Sequence, residues 1–523
     1  MSMHTGAGGD VNIKASDSIL ISGYDGDGIS EDAGFEDTSF YSTISASSSS
    51  EGNAGNIKIE TPNLKIKDGC SITASTIFKG NGGIIDILSS DIEIDGGDIS
   101  GDTLGSGKGG NVIIKTGNLS VSSGGSISAH CSSSLIINEY AGLDNTEVVG
   151  TGNAGNIFIE ASKSVNIFGA DEKGYSSYIS SWTTGQGNGG NIFIVSPDLK
   201  LNEGDIFCGT IPSNKNNKCG NSGTISVSVD RLVLESGSQI NGRSVEGTGN
   251  AGDITISANE SISISGKSNI DDDVFSQIRS DTGEDGKGGN IFINTPKLNI
   301  RDEALISVKA KGLGNTGTIN ITASEINMSN NASITAESEG DGISDSINIT
   351  ADKIKVSDSK ITLATKKASG GDTSVTSTKM LYLKNGTITT SVAGGKGDGG
   401  NITISNPEFV ILNESNIIAQ ANEGSGGNIY IKSNQFLKTP ESIIDASSKL
   451  GIDGTIKIDS ANTDVTGGLF FFNSNYMDIS RLLKDPCYDR IRGRISTLKF
   501  PGKGGLRPAP TDDLMPVDLF YDI

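Results

Sequence analysis

Two histidines, His4 and His130, are all that 523 residues offer for general-base or zinc chemistry. A serine or cysteine nucleophile needs an adjacent base, and a zinc site needs several nitrogen or thiolate ligands. A histidine-based triad or a zinc site is therefore not expected, and His130, directly after Ala129, reads as a turn residue. Carboxylates are plentiful, and glycoside cleavage asks for a converging pair of them. The densest groups, Asp271-Asp272-Asp273 and Asp25, Asp27, Glu31 and Asp32, fall in inserted loops and do not recur in neighbouring repeats. They read as solvated loops or weak Ca²⁺ sites. Asp25-Gly26-Asp27-Gly28 lacks the other ligands of a helix-flanked calcium loop, and Gly394-Gly395-Lys396-Gly397-Asp398 is one imperfect copy of the calcium-binding nonapeptide. No catalytic residue, metal site or cofactor is expected, and the chain is read as a non-enzyme.

Aromatic side chains are the other groups with something to bind. They make up only 5% of the chain, yet Ile113, Phe158 and Phe193 occupy the same outward place in three successive repeats, with Phe292 and Tyr430 further along. Tyr175, Tyr178 and Trp182 follow in a loop expected beside that ladder. Aromatic faces exposed on a polar surface bind sugars or partner proteins, so Phe158, Phe193, Tyr175, Tyr178 and Trp182 form the candidate binding face. The alternative is that inserted loops fold over the ladder and bury it.

These residues are positioned by a repeat. A glycine-rich turn, then Asn, Asp or Thr, then two apolar residues around a variable one recurs from Gly55-Asn56-Ile57-Lys58-Ile59 to Gly427-Asn428-Ile429-Tyr430-Ile431. Where copies run closest the step is roughly 27 residues, the range of a solenoid. Within the unit that starts at Gly55, Ile57/Ile59, Leu64/Ile66 and Ile72/Ala74 each alternate with polar residues, as in strands with one buried face. The third pattern, apolar-polar-small, is the most regular: Ile127/Ala129, Ile179/Ser181, Ile306/Val308, Ile388/Thr390. The expected fold is all-β: a right-handed parallel β-helix with three short strands per coil and inserted surface loops. At about 4.8 Å per coil, fifteen or so coils give a rod on the order of 70 Å long. Ser346-Ile347-Asn348-Ile349 and Gly371-Asp372-Thr373-Ser374-Val375 read as degenerate coils through which the stack continues. Loops are expected from Gly23 to Ser42, Ser132 to Gly150, Asp171 to Gly185, Thr210 to Asn221 and Asp271 to Lys287.

Residues 1–460 are assigned to the β-helix and 461–523 to an end cap and an irregular basic, Pro-containing tail. Within the latter, Leu469-Phe470-Phe471-Phe472 is expected to cover the end of the stack. Gly at 71 residues is about twice average usage and fits a thin aliphatic core. The net charge of −22 excludes sequence-independent nucleic-acid binding, which needs a positive surface. Five cysteines are too few for a disulfide scaffold; Cys208 and Cys219 bracket one loop and either pair or stay free. No apolar run reaches the length of a transmembrane helix and no signal peptide is apparent. Because the chain opens inside a repeat, at Gly8-Gly9-Asp10-Val11-Asn12-Ile13, it is expected to be the downstream part of a longer protein.

The ending carries a resemblance. Ile444-Asp445-Ala446-Ser447-Ser448, Gly451-Ile452-Asp453-Gly454-Thr455-Ile456, Cys487, Gly493-Arg494, Gly502-Lys503-Gly504-Gly505-Leu506 and Pro508-Ala509-Pro510 stand in the order in which filamentous haemagglutinin-like exoproteins of two-partner secretion close. The Gly-Asn-Ala-Gly-Asn-Ile openings at Gly52 and Gly152 are also similar to theirs. The resemblance implies a secreted adhesin at the bacterial cell surface, associated with the outer membrane. Its implied partners are an outer-membrane β-barrel transporter and a cell-surface glycan or protein receptor. The family's amino-terminal secretion domain has no counterpart here. Two rivals remain: a passive stalk displaying an upstream domain, and a β-helical polysaccharide lyase or hydrolase, which a cleft lined by carboxylates of consecutive coils would favour.

Overall fold

The computed structural model describes residues 6–25, 40–132, 151–212, 218–245 and 247–462. The expected cap at Leu469–Phe472, the tail, and most of the loops after Gly23 and Ser132 lie outside them. Among the described residues there is no helix. Strands stack into two long sheets, of 17 and 16 strands, in which nearly every pairing is parallel and joins one coil to the next. A separate two-stranded sheet is antiparallel, Tyr24–Asp25 with Phe40–Tyr41, at the base of the first inserted loop. The fold is a parallel β-helix.

Alternation dictates the core. In the strand Ile57–Lys67 the side chains of Ile57, Ile59, Leu64 and Ile66 are fully buried while Lys58 and Lys65 face out. The inward residues stack on their counterparts one coil away: Ile57 pairs with Ile85, and Ile85 with Val112. Both degenerate coils belong to the stack. Ile347–Ser357 pairs with Ile319–Ser329 on one side and with Thr373–Lys384 on the other.

In the coils described throughout, the three expected segments are present, but the first two usually run on as one strand, 11 residues long in Ile57–Lys67, Ile85–Asp95 and Val112–Ser122. Thr61-Pro62-Asn63 is a bend in that strand rather than a turn between two. At the bend two consecutive residues face out, which flips the alternation. A buried hydroxyl then caps the exposed carbonyl two residues on: Thr61 to Asn63 at 3.2 Å, Ser89 to Asp91 at 2.9 Å, Ser196 to Asp198 at 2.8 Å. Among the described coils two split here: the first, into Val11–Lys14 and Ser18–Ile21, and that of Gly400, into Ile402–Ser405 and Phe409–Asn413, around Pro407.

Glycine columns explain the small residue of the third segment. Gly155 sits on the carbonyl of Gly110, Gly190 on that of Gly155 and Gly223 on that of Gly190, each too closely for a side chain. The inward small residue packs on this column and bonds to it: the Ser181 hydroxyl donates to the Gly155 carbonyl at 2.6 Å and Ser280 to Gly252 at 2.7 Å.

Asparagines tie successive coils together, mostly through the backbone. The Asn156 Oδ1 accepts the Asn191 N–H at 2.9 Å, and the Asn191 Oδ1 accepts the Thr224 N–H at 2.8 Å. Amide-to-amide bonding occurs as well where Asn428 Nδ2 donates to Asn401 Oδ1 at 3.1 Å. Asp10, Asp253 and Asp372 fill the same place with a carboxylate. A second such ladder runs three residues earlier through Asn153, Asn188, Asn221 and Asn250. Asn191→Ala is therefore expected to cost about 1 kcal/mol, seen as a lower thermal midpoint, while Asn191→Asp keeps the acceptor and most of the stability. Equal losses in both variants would remove the ladder as the cause.

Candidate functional site

The outward residues of the first segment carry the aromatic ladder. Ile113 pairs with Phe158 and Phe158 with Phe193 in strict register. The two phenylalanine rings stack with centroids 5.0 Å apart and planes within 4°. Phe158 remains 38% exposed, so the ladder is not sealed beneath the surface. With Ile113, Lys115, Glu160 and Val195 the rings line a shallow groove of about 250 Å³. The ladder ends at polar neighbours, Asp86 below and Ser226 above. Phe292 stands alone between Thr255 and Asn320, and Tyr430 lies under the Lys457 ammonium, 5.4 Å from the ring centre.

Tyr178 and Trp182 stand elsewhere. The stretch read as a loop from Asp171 to Gly185 is a turn followed by a strand, Ser177–Thr183, of the second sheet. Asp171 closes the turn by accepting the N–H groups of Lys173 and Tyr175, which leaves Tyr175 exposed. In the strand Ile179 and Ser181 point in and Tyr178, Ser180 and Trp182 point out. Phe158 and Phe193 thus line the outer face of one sheet, Tyr178 and Trp182 that of the other, and the single expected face divides in two. The same correction applies to Asp271–Lys287, whose second half is the strand Gln277–Thr282.

The outer face of the second sheet gathers groups that lie far apart in sequence. Ser126 pairs with Asp98 on one side and Tyr178 on the other, and Tyr178 with Asp205. Ser126 donates a hydrogen bond to the Asp98 carboxylate. His130, far from a plain turn residue, is buried: its Nε2 lies 2.6 Å from the Ser180 hydroxyl, its Nδ1 3.5 Å from Asp102, and its backbone N–H donates to Asp102 at 2.6 Å. The Trp182 ring covers the imidazole at 4.5 Å between centroids. Burial pushes Asp98 up to about 7, with the charge of Asp102 adding to the effect. Burial also acts to raise Asp102, but the imidazole of His130 and the hydrogen bonds it receives pull it down to about 2. Asp205 is raised to about 7 by burial, against one hydrogen bond from the Gln239 N–H.

Asp102, His130 and Ser180 stand in the order of orienter, base and nucleophile. Acyl transfer also needs donors aimed at the developing oxyanion. Here strands Ser126–Ser128 and Gly204–Thr210 pair on both sides of Ser177–Thr183, so the backbone N–H groups around Ser180 are spent in the ladders, and Ser180 is 3% exposed. The arrangement reads as a satisfied polar network that fixes His130 beneath Trp182. Sequence reading missed it, and also Asp98, Asp205, Asn241, Arg279 and Asp281 on the same face. The available signal was the outward position of the third segment, Asp-Ile-Ser, Ser-Ile-Ser, Tyr-Ile-Ser, aligned by register rather than by spacing.

Among the described residues no group of three or more His, Cys, Asp and Glu side chains is placed to hold a metal ion. Asp271, Asp272 and Asp273 are exposed; Asp272 pairs with Lys267 at 2.7 Å and Asp271 accepts the Asp273 N–H. Asp27, Glu31 and Asp32 lie outside the described residues. Asp398 belongs to the second ladder, accepting the Ser425 N–H at 2.7 Å. Cys208 and Cys219 are both free and buried. Cys208 points into the coil and donates to the Gly223 carbonyl at 2.9 Å; burial pushes its thiol up to about 12 and that of Cys219 to about 11, so neither is a ready nucleophile. No described helix is long and apolar enough to cross a membrane.

Comparison with protein families, curated proteins and solved structures finds no match to this chain.

Proposed function

We propose that this chain is a segment of a secreted, cell-surface attachment fibre of the filamentous haemagglutinin-like kind. In that reading it is exported through an outer-membrane β-barrel transporter of two-partner secretion, binds a surface glycan or protein receptor, and catalyses nothing. The observation that supports it best is the stacked, partly exposed Phe158–Phe193 pair on a long repetitive scaffold whose outward positions are otherwise mostly polar. Stacked rings with a hydrophilic rim offer the apolar anchor that binding surfaces concentrate their energy in. The acidic net charge of −22 keeps such a scaffold soluble and self-repelling.

A cell-adhesion assay on the purified chain tests this, with a Phe158→Ser, Phe193→Ser, Trp182→Ala variant beside it. Adhesion by the native chain and a drop of about tenfold or more in the variant is expected, since removing a buried aromatic anchor costs about 2 kcal/mol or more. Equal adhesion in both removes these rings from the binding face, and no adhesion by the native chain leaves the passive stalk. Turnover of a polysaccharide by the native chain would overturn the non-enzymatic reading.

A further inference from the structure

We propose that an open cleft on the outer face of the 17-stranded sheet, lined by the Phe168 ring with Asn166, Asn202 and Glu203, binds one neutral pyranose unit of a glycan. The site is separate from the Phe158–Phe193 rings and does not rest on them.

Register brings its residues together. Ser120, Asn166 and Lys200 pair in successive coils, and Phe168 pairs with Asn202 two positions further on. All are outward positions of strands whose inward residues, among them Val165, Ile167, Leu199 and Leu201, are buried. After Phe168 and Asn202 the chain turns at Gly169 and Glu203, both at positive φ, and these corners close one side. Together the residues line a cleft of about 450 Å³. That volume is ordinary for a small-ligand site and exceeds the groove of about 250 Å³ beside Phe158. Phe168 is 44% exposed, so its ring is open to a ligand.

A neighbouring turn fixes the charged wall. The inserted turn of the coil that starts at Ile254 reaches back two coils, where Asn269 donates its N–H at 3.1 Å and its Nδ2 at 2.9 Å to Glu203 Oε1. It also meets the other inserted turn, since Ile270 Cγ2 lies 3.4 Å from the place of a Cβ on Gly174. The carboxylate is thereby held in place with Oε2 unbonded among the described residues.

The remaining groups specify the ligand. Asn166 uses its Nδ2 on Ser164 at 3.2 Å, Asn202 uses its Nδ2 on Glu235 at 3.4 Å, and the Lys200 ammonium is paired with Glu235. The cleft is left with three acceptors, Asn166 Oδ1, Asn202 Oδ1 and Glu203 Oε2, one Ser120 hydroxyl that gives or takes, and an aromatic ring. Acceptors call for a ligand rich in donors. An anionic sugar would meet the Glu203 carboxylate. A cation would be drawn to the Phe168 ring but would stand one coil from the Lys200 ammonium. A neutral pyranose brings hydroxyls that donate to the three oxygens and an apolar C–H face that buries against the ring. Its hydroxyls replace the water that these exposed groups otherwise hold, without loss of hydrogen bonds.

Saturation-transfer NMR and titration calorimetry on the full chain test this, with short neutral glucan, galactan and mannan oligosaccharides. Polygalacturonate oligosaccharides and choline are the anionic and cationic probes. Saturable binding of a neutral oligosaccharide is expected, with transfer strongest to the ring C–H protons of one sugar unit. Phe168→Ser is expected to weaken it by about tenfold or more and Asn202→Ala by about threefold or more. Circular dichroism confirms folding; should one variant misfold, the other decides. No binding of any neutral oligosaccharide, binding of polygalacturonate or choline alone, or affinity unchanged in a folded variant overturns the proposal. The two readings separate: cells that adhere to a chain binding no saccharide leave attachment standing without this site, and saccharide binding without adhesion does the reverse.

Discussion

Gly190→Ala is expected to break the stack locally and lower its thermal midpoint. A Cβ on Gly190 would lie 1.7 Å from the Gly155 carbonyl oxygen and 2.3 Å from the Ser181 hydroxyl oxygen. The serine can rotate; the carbonyl cannot, because coil spacing is held by ladders on both sheets at about 4.8 Å. The backbone dihedrals of Gly190 are not the difficulty, only the approach of the coil beneath. Overpacking of this kind costs about 1–3 kcal/mol or more. In a solenoid the cost falls on one interface between neighbouring repeats, so limited proteolysis should open the chain near residue 190 before other sites. Gly9→Ala is the control, since nothing lies within 4 Å of its added Cβ. An unchanged melting curve for Gly190→Ala would mean that the glycine column is not what sets the coil spacing.

That column was legible in the sequence as a recurring glycine before Asn or Thr, and so were the buried pairs Ile57/Ile59, Leu64/Ile66 and Ile72/Ala74, because alternation is a local property. The coils at Ile347 and Thr373 were legible through the period although their glycines have drifted: Gly371 sits on the carbonyls of Ser344 and Asp345 rather than on a glycine. The bend at Thr61 was not, since a hydroxyl capping a carbonyl two residues on imitates a turn between strands. The second asparagine ladder lies inside the Gly-Asn-Ala-Gly-Asn turns, at Asn53 and Asn153, and was not read from them.

The neighbours across coils were the least legible. Ile127 pairs with Ile179 and Ile99 with Ile127, so inserted loops make the sequence distance between stacked residues differ from coil to coil. A convergence such as Asp102, His130 and Ser180 has no fixed spacing to search for. The same cause split the aromatic face, because Tyr178 and Trp182 were assigned to an insertion whose second half is a regular strand. A rule follows for such chains: outward residues should be compared by their offset from the inward Ile of the third segment, which is constant, rather than by repeat length, which is not. Applied here, that offset puts Asp98, Ser126, Tyr178, Asp205, Gln239 and Gln277 in one column.

Within that column Asp205→Asn is expected to stabilise the fold, increasingly as pH rises above about 4 and fully above about 7. Burial raises Asp205 to about 7 against one hydrogen bond from the Gln239 N–H, while in the unfolded chain it titrates near the usual 3.9. Between those values the native state holds a proton that the unfolded state has released, so stability falls as pH rises from about 4 to about 7 and stays lowered above it. The full difference amounts to at most about 4 kcal/mol. Asparagine has the same shape, still accepts the Gln239 N–H, and carries no charge to desolvate. The variant should therefore melt with the native protein near pH 4 and several degrees above it near pH 8. Asp98→Asn should move the same way, as Asp98 is raised to about 7 with Asp102 adding to the burial effect. Asp102→Asn should move oppositely: this carboxylate is held at about 2, so its removal costs stability above about pH 4 and little below about pH 2. A midpoint for Asp205→Asn that tracks the native protein at every pH would show that water reaches this carboxylate and that the outer face of the second sheet is wet.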